Sequence, residues 1–305
     1  MSAQTLRSVE SEALQPVVTE NDSQILVSEA AASFEDSNMS ELERELLKRL
    51  KTGRATLPVL PAVAESAIRL ANDPDARISE LATLVDTDPP IAARFMSVAN
   101  SVIYFRGWVT SSTQSAIVRL GLASTRDLLF QVVYATNSGG LRKYQSAVQA
   151  SFRRSVLAAH AARVVSRELS LGGEYDYMSG LLHDIGESRI YRILDGVKLP
   201  SNPSLVESLV RKYHESAGAE IAMAWKLPTE IVDACAAHHD AAAAATPHVR
   251  LVMIADCIVA ALDAEAGQDK REIDFAPFDR LLVDPSIARR LIEKTRPFIA
   301  DSPKL

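Results

Sequence analysis

The chain is poor in the residues that advertise cross-links, sheets and membrane spans. Two cysteines in 305 residues, Cys235 and Cys257, leave no disulfide framework and no thiolate metal site; both fall in apolar helical patterns and read as reduced core packing. With only 12 glycines and no alternating Val, Thr or Tyr runs bounded by hairpin turns, a sheet has no place, so the expected fold class is all-α. No uninterrupted apolar run approaches the roughly 18 residues that cross a bilayer, and the N-terminus has neither the basic start nor the apolar stretch of a signal peptide. The expected setting is therefore the cytoplasm, with no membrane partner. Long basic stripes are missing too. The whole net charge of -6 sits in residues 1–40, where Glu10, Glu12, Glu20, Asp22, Glu29, Glu35 and Asp36 face only Arg7; the rest carries 32 acids against 32 bases. A neutral body gives little purchase on phosphates, so no nucleic-acid partner is expected.

What is present is an ordinary globular composition, 47% apolar and 24% charged, enough for one large domain or two small ones. Residues 1–39 have no sustained period and read as a disordered acidic tail that could contain a partner-binding stretch. Ser40-Glu41-Leu42-Glu43 forms a capping box, and Leu42, Leu46, Leu47 and Leu50 follow on one helical face. Leu57-Pro58-Val59-Leu60-Pro61 is an extended prelude to a helix through 63–71, ended by Asn72-Asp73-Pro74-Asp75. Ser79 is placed to cap a helix, Asp88-Pro89-Pro90 starts another, and Ser111 or Ser112 opens a third before one over 124–135. Helical periodicity then covers 145–169, 175–193, 203–224, 228–239 and 247–264. Gly139-Gly140 is the softest internal point. The expected organisation is a tail (1–39), an N-terminal helical lobe (40–140), a second helical lobe (141–265) and a C-terminal helical extension (266–305).

All six histidines lie beyond residue 150: His160, His183, His214, His238, His239 and His248. His183-Asp184 is read on one helix, inside the apolar stretch Leu182 to Gly186; His214 is read at the opening of another, and His238-His239 at the end of a third. Asp256 interrupts the apolar run 251–261. An imidazole and a carboxylate in apolar surroundings are costly to bury unless they share a partner, and imidazole nitrogen with carboxylate oxygen suits a first-row divalent ion. His183, Asp184, His214, His238, His239 and Asp256 are therefore the candidate metal-binding residues, with Mn, Fe, Mg, Ni or Zn as the candidate ions.

The order His-Asp, His, His-His, Asp on successive helices resembles the HD superfamily of metal-dependent phosphohydrolases. The wider chain, over about 50–265, resembles the HDOD domain. That resemblance rests on Leu57-Pro58-Val59-Leu60-Pro61, Asn72-Asp73-Pro74-Asp75, Asp88 to Arg94, Val98-Ala99-Asn100-Ser101, Ala116 to Gly121, Gly180 to Gly186 and Trp225 to Ile231. It implies a helical bundle in a bacterial signal-transduction setting. The departures carry as much information. Catalytic relatives have a further metal-binding His upstream of the doublet, where Phe152-Arg153-Arg154-Ser155 puts Arg154, and a cation does not ligate a cation. His160 is no substitute: six residues along a helix is about 600°, hence about 240° around the axis from Arg154. Glu187 stands where relatives commonly have Lys, and no Gly-Tyr-Pro triplet follows, which disfavours the HD-GYP branch that hydrolyses cyclic di-GMP.

These departures favour a degenerate pocket with no catalytic residues and no obligatory cofactor, in which Arg154 pairs with Asp184 or Asp256 in place of an ion. The expected function is a non-catalytic regulatory module working through a signalling protein partner. One alternative is an HD-type phosphohydrolase of a nucleotide or phosphodiester. Another is a receptor that holds a cyclic dinucleotide on Arg153, Arg154, Arg189 or Arg192. Gly172-Gly173-Glu174 superficially matches a nucleotide-cyclase signature but lacks its sheet. Tyr104 and Trp108 are expected to plug a helix interface, and His248 to face solvent.

Overall fold

The computed structural model describes residues 40–52, 65–66, 69–70, 77–101, 104–137, 139–199, 201–266 and 272–299. The expected acidic tail, the prelude at 57–61 and the turn at 72–75 lie outside them, as does most of the helix at 63–71. Every regular element among the described residues is helical. Helix α1 (Glu41–Thr52) begins with Ser40 Oγ accepting from the Glu43 backbone N–H at 3.2 Å. Helix α2 (Ile78–Asp86) starts one residue before Ser79, so Ser79 does not cap it; Arg77 takes the N-cap position without a side-chain bond. The apolar face already begins at Ile78, and Ser79 lends only its carbonyl to Thr83 Oγ1, 2.8 Å away. Asp88 caps α3 (Pro89–Ala99) by accepting from Ile91 N at 3.1 Å, with proline at the first two positions. Ser112 caps α4 (Thr113–Leu120), and Gly121, at φ 78°, turns the chain into α5 (Leu122–Asn137). Leu81, Val85, Phe95, Ile117 and Leu129 make these helices one apolar cluster.

After the loop at 139–144 come α6 (Gln145–Leu169), α7 (Asp176–Leu182), α8 (Ile185–Asp195), α9 (Pro203–Ala224) and α10 (Thr229–Ala237). A 3₁₀ turn (Ala241–Ala245), α11 (Pro247–Ala266), α12 (Ala276–Arg280), α13 (Pro285–Thr295) and a last 3₁₀ turn (Arg296–Ile299) follow. The single helix expected over 175–193 is two helices, broken at His183-Asp184. His214 does not open its helix but sits in the middle of α9. Helix α5 joins the two groups, because Phe130 and Tyr134 pack with Phe152, Val156, Met178 and Leu181. Helix α1 precedes the first group in the chain yet buries Leu42 and Leu46 against Ile190, Ile193, Val206 and Val210 of α8 and α9. Helix α13 packs Leu291 and Ile292 into the cluster built by α6 and α11.

Candidate metal centre

The break at the doublet is what presents it. His183 keeps helical dihedrals (φ -52°, ψ -40°), whereas Asp184 leaves them (φ -98°, ψ 13°) and takes the N-cap position of α8. An aspartate there normally accepts from the backbone N–H two or three residues on. Asp184 makes no such cap, and its carboxylate turns instead to three imidazoles. Two glycines permit the approach. A Cβ on Gly186 would lie 1.9 Å from His214 O and 2.6 Å from Gly218 N, so only glycine lets α8 come close enough to α9 to bring His214 to Asp184. A Cβ on Gly180 would lie 2.7 Å from Ala158 O, which fixes α7 against α6 in the same way.

Asp184 Oδ1 lies 3.2 Å from His238 Nε2 and 3.5 Å from His214 Nε2, while Oδ2 lies 3.3 Å from His183 Nε2. The far nitrogens are committed. His183 Nδ1 donates to Gly180 O at 2.8 Å, His238 Nδ1 to Ala234 O at 2.9 Å, and His214 Nδ1 to Val210 O and Arg211 O at 3.1 and 3.0 Å. Carbonyls only accept, so each Nδ1 carries a proton, and an ion arriving at the cluster would meet Nε2 as the ligating atom of each ring. His214 Nε2 and His238 Nε2 are 3.1 Å apart. Two lone pairs at that distance repel unless a proton or a cation lies between them. His183 Nε2 is buried without a hydrogen-bond partner, its distance to Asp184 suitable but its direction not. This donor set fits a divalent cation: imidazoles whose Nδ1 atoms are committed to carbonyls and whose Nε2 atoms face one another, an ionised carboxylate, and one buried nitrogen left unsatisfied.

Two overlapping sets could hold ions, with Asp184 in both: Asp184, His214, His238 and His239, and His183, Asp184 and Asp256. Within each, the donor atoms lie within 4.8 Å of one another. Asp256 is half-buried on α11, its Oδ1 3.9 Å from His183 Nε2. Electrostatics favour charge separation here. Burial opposes a proton on His183, but the Asp184 and Asp256 carboxylates outweigh it and lift its pKa to about 9. Burial likewise opposes ionisation of Asp184, yet His183 and His238 hold it well below the usual carboxylate range. Burial, then His238 and His214, push His239 down, which favours its neutral, ligating form.

Arg154, on α6, is half-exposed and enters from the Oδ2 side, its Nη2 3.8 Å from Asp184 Oδ2 and 3.4 Å from Glu187 Oε1. It flanks a cavity of about 530 Å³ bounded also by Ser151, Glu187, His214, His239 and Asp256. Asp263 is the last residue to line it, so α12 and α13 extend the bundle without contributing. Sequence reasoning missed most of this wall. The available signal was on α6, where Ala147, Ala150, Ser151 and Arg154 share one face at helical spacing and three of the four are small.

Other expectations are placed or corrected. His160 is a packing residue, stacked on Phe298 with centroids 4.3 Å apart and edge-on to Tyr177 at 5.3 Å; burial and then Arg163 push its pKa down to about 3. Arg189 is not free to hold a phosphate: it is buried and paired with Glu220 at 2.6 Å. His248 is half-buried rather than solvent-facing, with Nε2 3.3 Å from Asp233 Oδ2. The Gly172-Gly173-Glu174 loop is structural, with Glu174 paired to Arg126 at 2.7 Å. Trp108 does not plug a helix interface; the residue is 65% exposed, in a loop that turns at Gly107 (φ 92°) and whose Trp108 carbonyl accepts from Arg119, whereas Tyr104 packs on the first cluster.

An all-helical bundle in which a His-Asp doublet at a helix junction meets His214, His238 and Asp256 from three further helices defines an HD-type domain. The HDOD domain profile matches residues 57–241, and the chain belongs to that family. Among curated relatives, Ribonuclease Y of Thermus thermophilus is 31% identical over 159 residues, 52% of this chain and 23% of that protein. An uncharacterized protein of Treponema pallidum is 21% identical over 243 residues, 74% of this chain and 46% of that protein. The chain thus spans less than half the length of either. Among solved structures, a candidate metal-dependent phosphohydrolase of Shewanella amazonensis superposes with TM-score 0.68 at 21% identity, covering 86% of this chain and 98% of that one. An HDOD domain protein of Geobacter sulfurreducens superposes with TM-score 0.58 at 25% identity, over 82% and 87% of the two chains. Among the described residues no helix is long and apolar enough to cross a membrane.

Proposed function

We propose that this HDOD chain is a regulatory module that acts by contact with a signalling protein, and that its pocket holds one divalent cation without hydrolysing a phosphodiester. The observation that carries this reading is the Arg154 guanidinium, 3.8 Å from Asp184 Oδ2. It brings positive charge to the side where His183, Asp184 and Asp256 would otherwise need a cation and a further donor. That leaves the Oδ1 side, where Asp184, His214, His238 and His239 would hold the ion. Four protein donors fill the usual structural complement and keep no position open for a reacting water. A bound ion would supply charge neutralisation among these buried groups. The residues themselves do the mechanical work, since Asp184, His214 and the His238-His239 pair come from three different segments and are drawn together at one point.

The second reading is an HD-type phosphohydrolase of a nucleotide or phosphodiester, favoured by the 530 Å³ cavity beside the cluster and by its similarity in fold to the Shewanella protein. A receptor for a cyclic dinucleotide would use the same cavity through Arg154 and Arg211. Elemental analysis of the full chain, purified without chelator from medium supplemented with Mn, Fe, Ni and Zn, separates these. About one ion per chain, lost in Asp184→Ala, with no turnover of a generic phosphodiester in added manganese, is the expected result. Two ions per chain with turnover abolished by Asp184→Ala would replace the proposal with the hydrolase.

A further inference from the structure

The loop between α3 and α4 is pinned so that its aromatic side chain stays in water. Asn100 clamps Thr110 from both sides, Nδ2 donating to its carbonyl at 3.0 Å and Oδ1 accepting from its N–H at 2.9 Å. Arg119 donates to Ala99 O at 2.9 Å, to Asn100 Oδ1 at 3.2 Å and to Trp108 O at 2.8 Å, with its guanidinium 5.4 Å from the Trp108 ring centroid. Trp108 remains 65% exposed, beside Phe105 at 49% and Val109 at 71%, with Val118 on α4 at 61%. A fixed, exposed tryptophan among apolar neighbours is the form of a binding hot spot, since little ordering cost remains when something covers it.

Charge says what fits. Residues 89–126 contain four arginines and no acid. At the patch itself Arg106 is exposed and Arg119 bonds only neutral oxygens, and neither has a carboxylate partner among the described residues. The complementary segment is in the same chain. Residues 1–39 carry the entire net charge of -6 and, between Asp22 and Glu29, the apolar triplet Ile25-Leu26-Val27. The segment ends at Ser40, and the stretch from Val27 to Ser40 reaches up to about 45 Å, comparable with the width of a domain of this size.

We propose that the acidic N-terminal segment, anchored by Ile25-Leu26-Val27, docks on the Trp108 patch of its own chain and covers it. Tethering holds the segment at high local concentration, so it competes with any other protein for this surface. The patch is separate from the His/Asp pocket, and the inference is independent of whether a metal binds there.

The test uses the full-length chain carrying Trp225→Phe, which leaves Trp108 as its one tryptophan. Acrylamide quenching of Trp108 should be weak at low salt and rise about twofold or more at about 0.5 M salt. It should rise equally when Ile25→Ser and Leu26→Ser are combined with Glu20→Gln, Asp22→Asn and Glu29→Gln. A synthetic peptide of residues 16–31 should restore shielding to that variant. In the chain with Trp225 intact, Arg106→Glu should speed cleavage after Glu29 by a Glu-specific protease by a similar factor. Equal quenching with native and substituted segments overturns the proposal: the patch is free if Trp108 is open in both, and covered by something else, such as a second copy, if shielded in both. An Arg106→Glu chain cleaved at the native rate overturns it too.

Discussion

At the scale of single residues, the proposed one-ion pocket turns on Arg154, whose guanidinium lies 3.8 Å from Asp184 Oδ2. Arg154→His would put a donor where the guanidinium now meets Asp184 Oδ2, beside His183 and Asp256. The expected outcome is a rise from about one bound ion per chain to about two, read by elemental analysis after manganese loading; an unchanged stoichiometry would mean that Arg154 does not stand in for a ligand. His160 offers a pH test away from the site. Its pKa is depressed to about 3 in the folded chain, so the unfolded chain takes up a proton first as pH falls. Stability is fully present above the ordinary histidine range near 6.5 and is lost as pH falls from there toward 3, by at most about 1.4 kcal/mol per pH unit and less where solvent reaches the ring edge. His160→Phe should flatten that part of a denaturation-midpoint profile, and an unaltered slope between pH 6 and about 4 would contradict the assignment. His183, Asp184, His214 and His238 were legible as a constellation because buried polar side chains in apolar periods need an explanation. Glu187 was legible only as a departure from the family pattern, because its partner Arg154 lies 33 positions away in sequence.

At the scale of elements, the helices with long uninterrupted periods were readable, and the break that makes the site was not. Apolar positions run on from Met178 through Leu181, Leu182, Ile185 and Ile190, all buried, so nothing local marks an end at Asp184. What accompanies the interruption is the close approach of α9 to Gly186, two residues past Asp184. Gly186→Ala should therefore push α8 off α9, at a cost of about 3 kcal/mol or more, and loosen metal binding with it. Gly173→Ala is the matched control, since a Cβ there meets nothing within 4 Å. Comparable melting temperatures for the two variants would refute the idea that this close approach sets the site. Helix α1 shows the same limit from the other direction. Its capping box and leucine face were plain, but which surface the leucines cover depends on α8 and α9, more than 130 residues away in the chain.

For the whole molecule, the cluster adds to the few polar contacts that join these segments, such as the His239 N–H donated to Glu215 Oε1 at 3.0 Å and Cys235 Sγ to Leu182 O at 3.2 Å. Asp184 stands just before the start of α8, His214 lies within α9, and His238-His239 follow α10, so one ion would tie all three. A ligand that binds only the folded chain raises its stability by RT ln(1 + [L]/Kd), about 2.7 kcal/mol at a hundredfold excess over Kd. For a chain of this size that is a rise in Tm of roughly 4–5 °C. Manganese or nickel added to chelator-treated protein should produce it. Asp184→Ala should abolish the rise because it removes the one carboxylate common to both ligand sets. Asp256→Ala should leave most of it, because Asp256 belongs only to the set that Arg154 flanks. An equal loss in both variants would move the ion to the His183 side and make Arg154 its neighbour rather than its replacement. A full rise in the Asp184→Ala chain would place metal binding outside the cluster altogether.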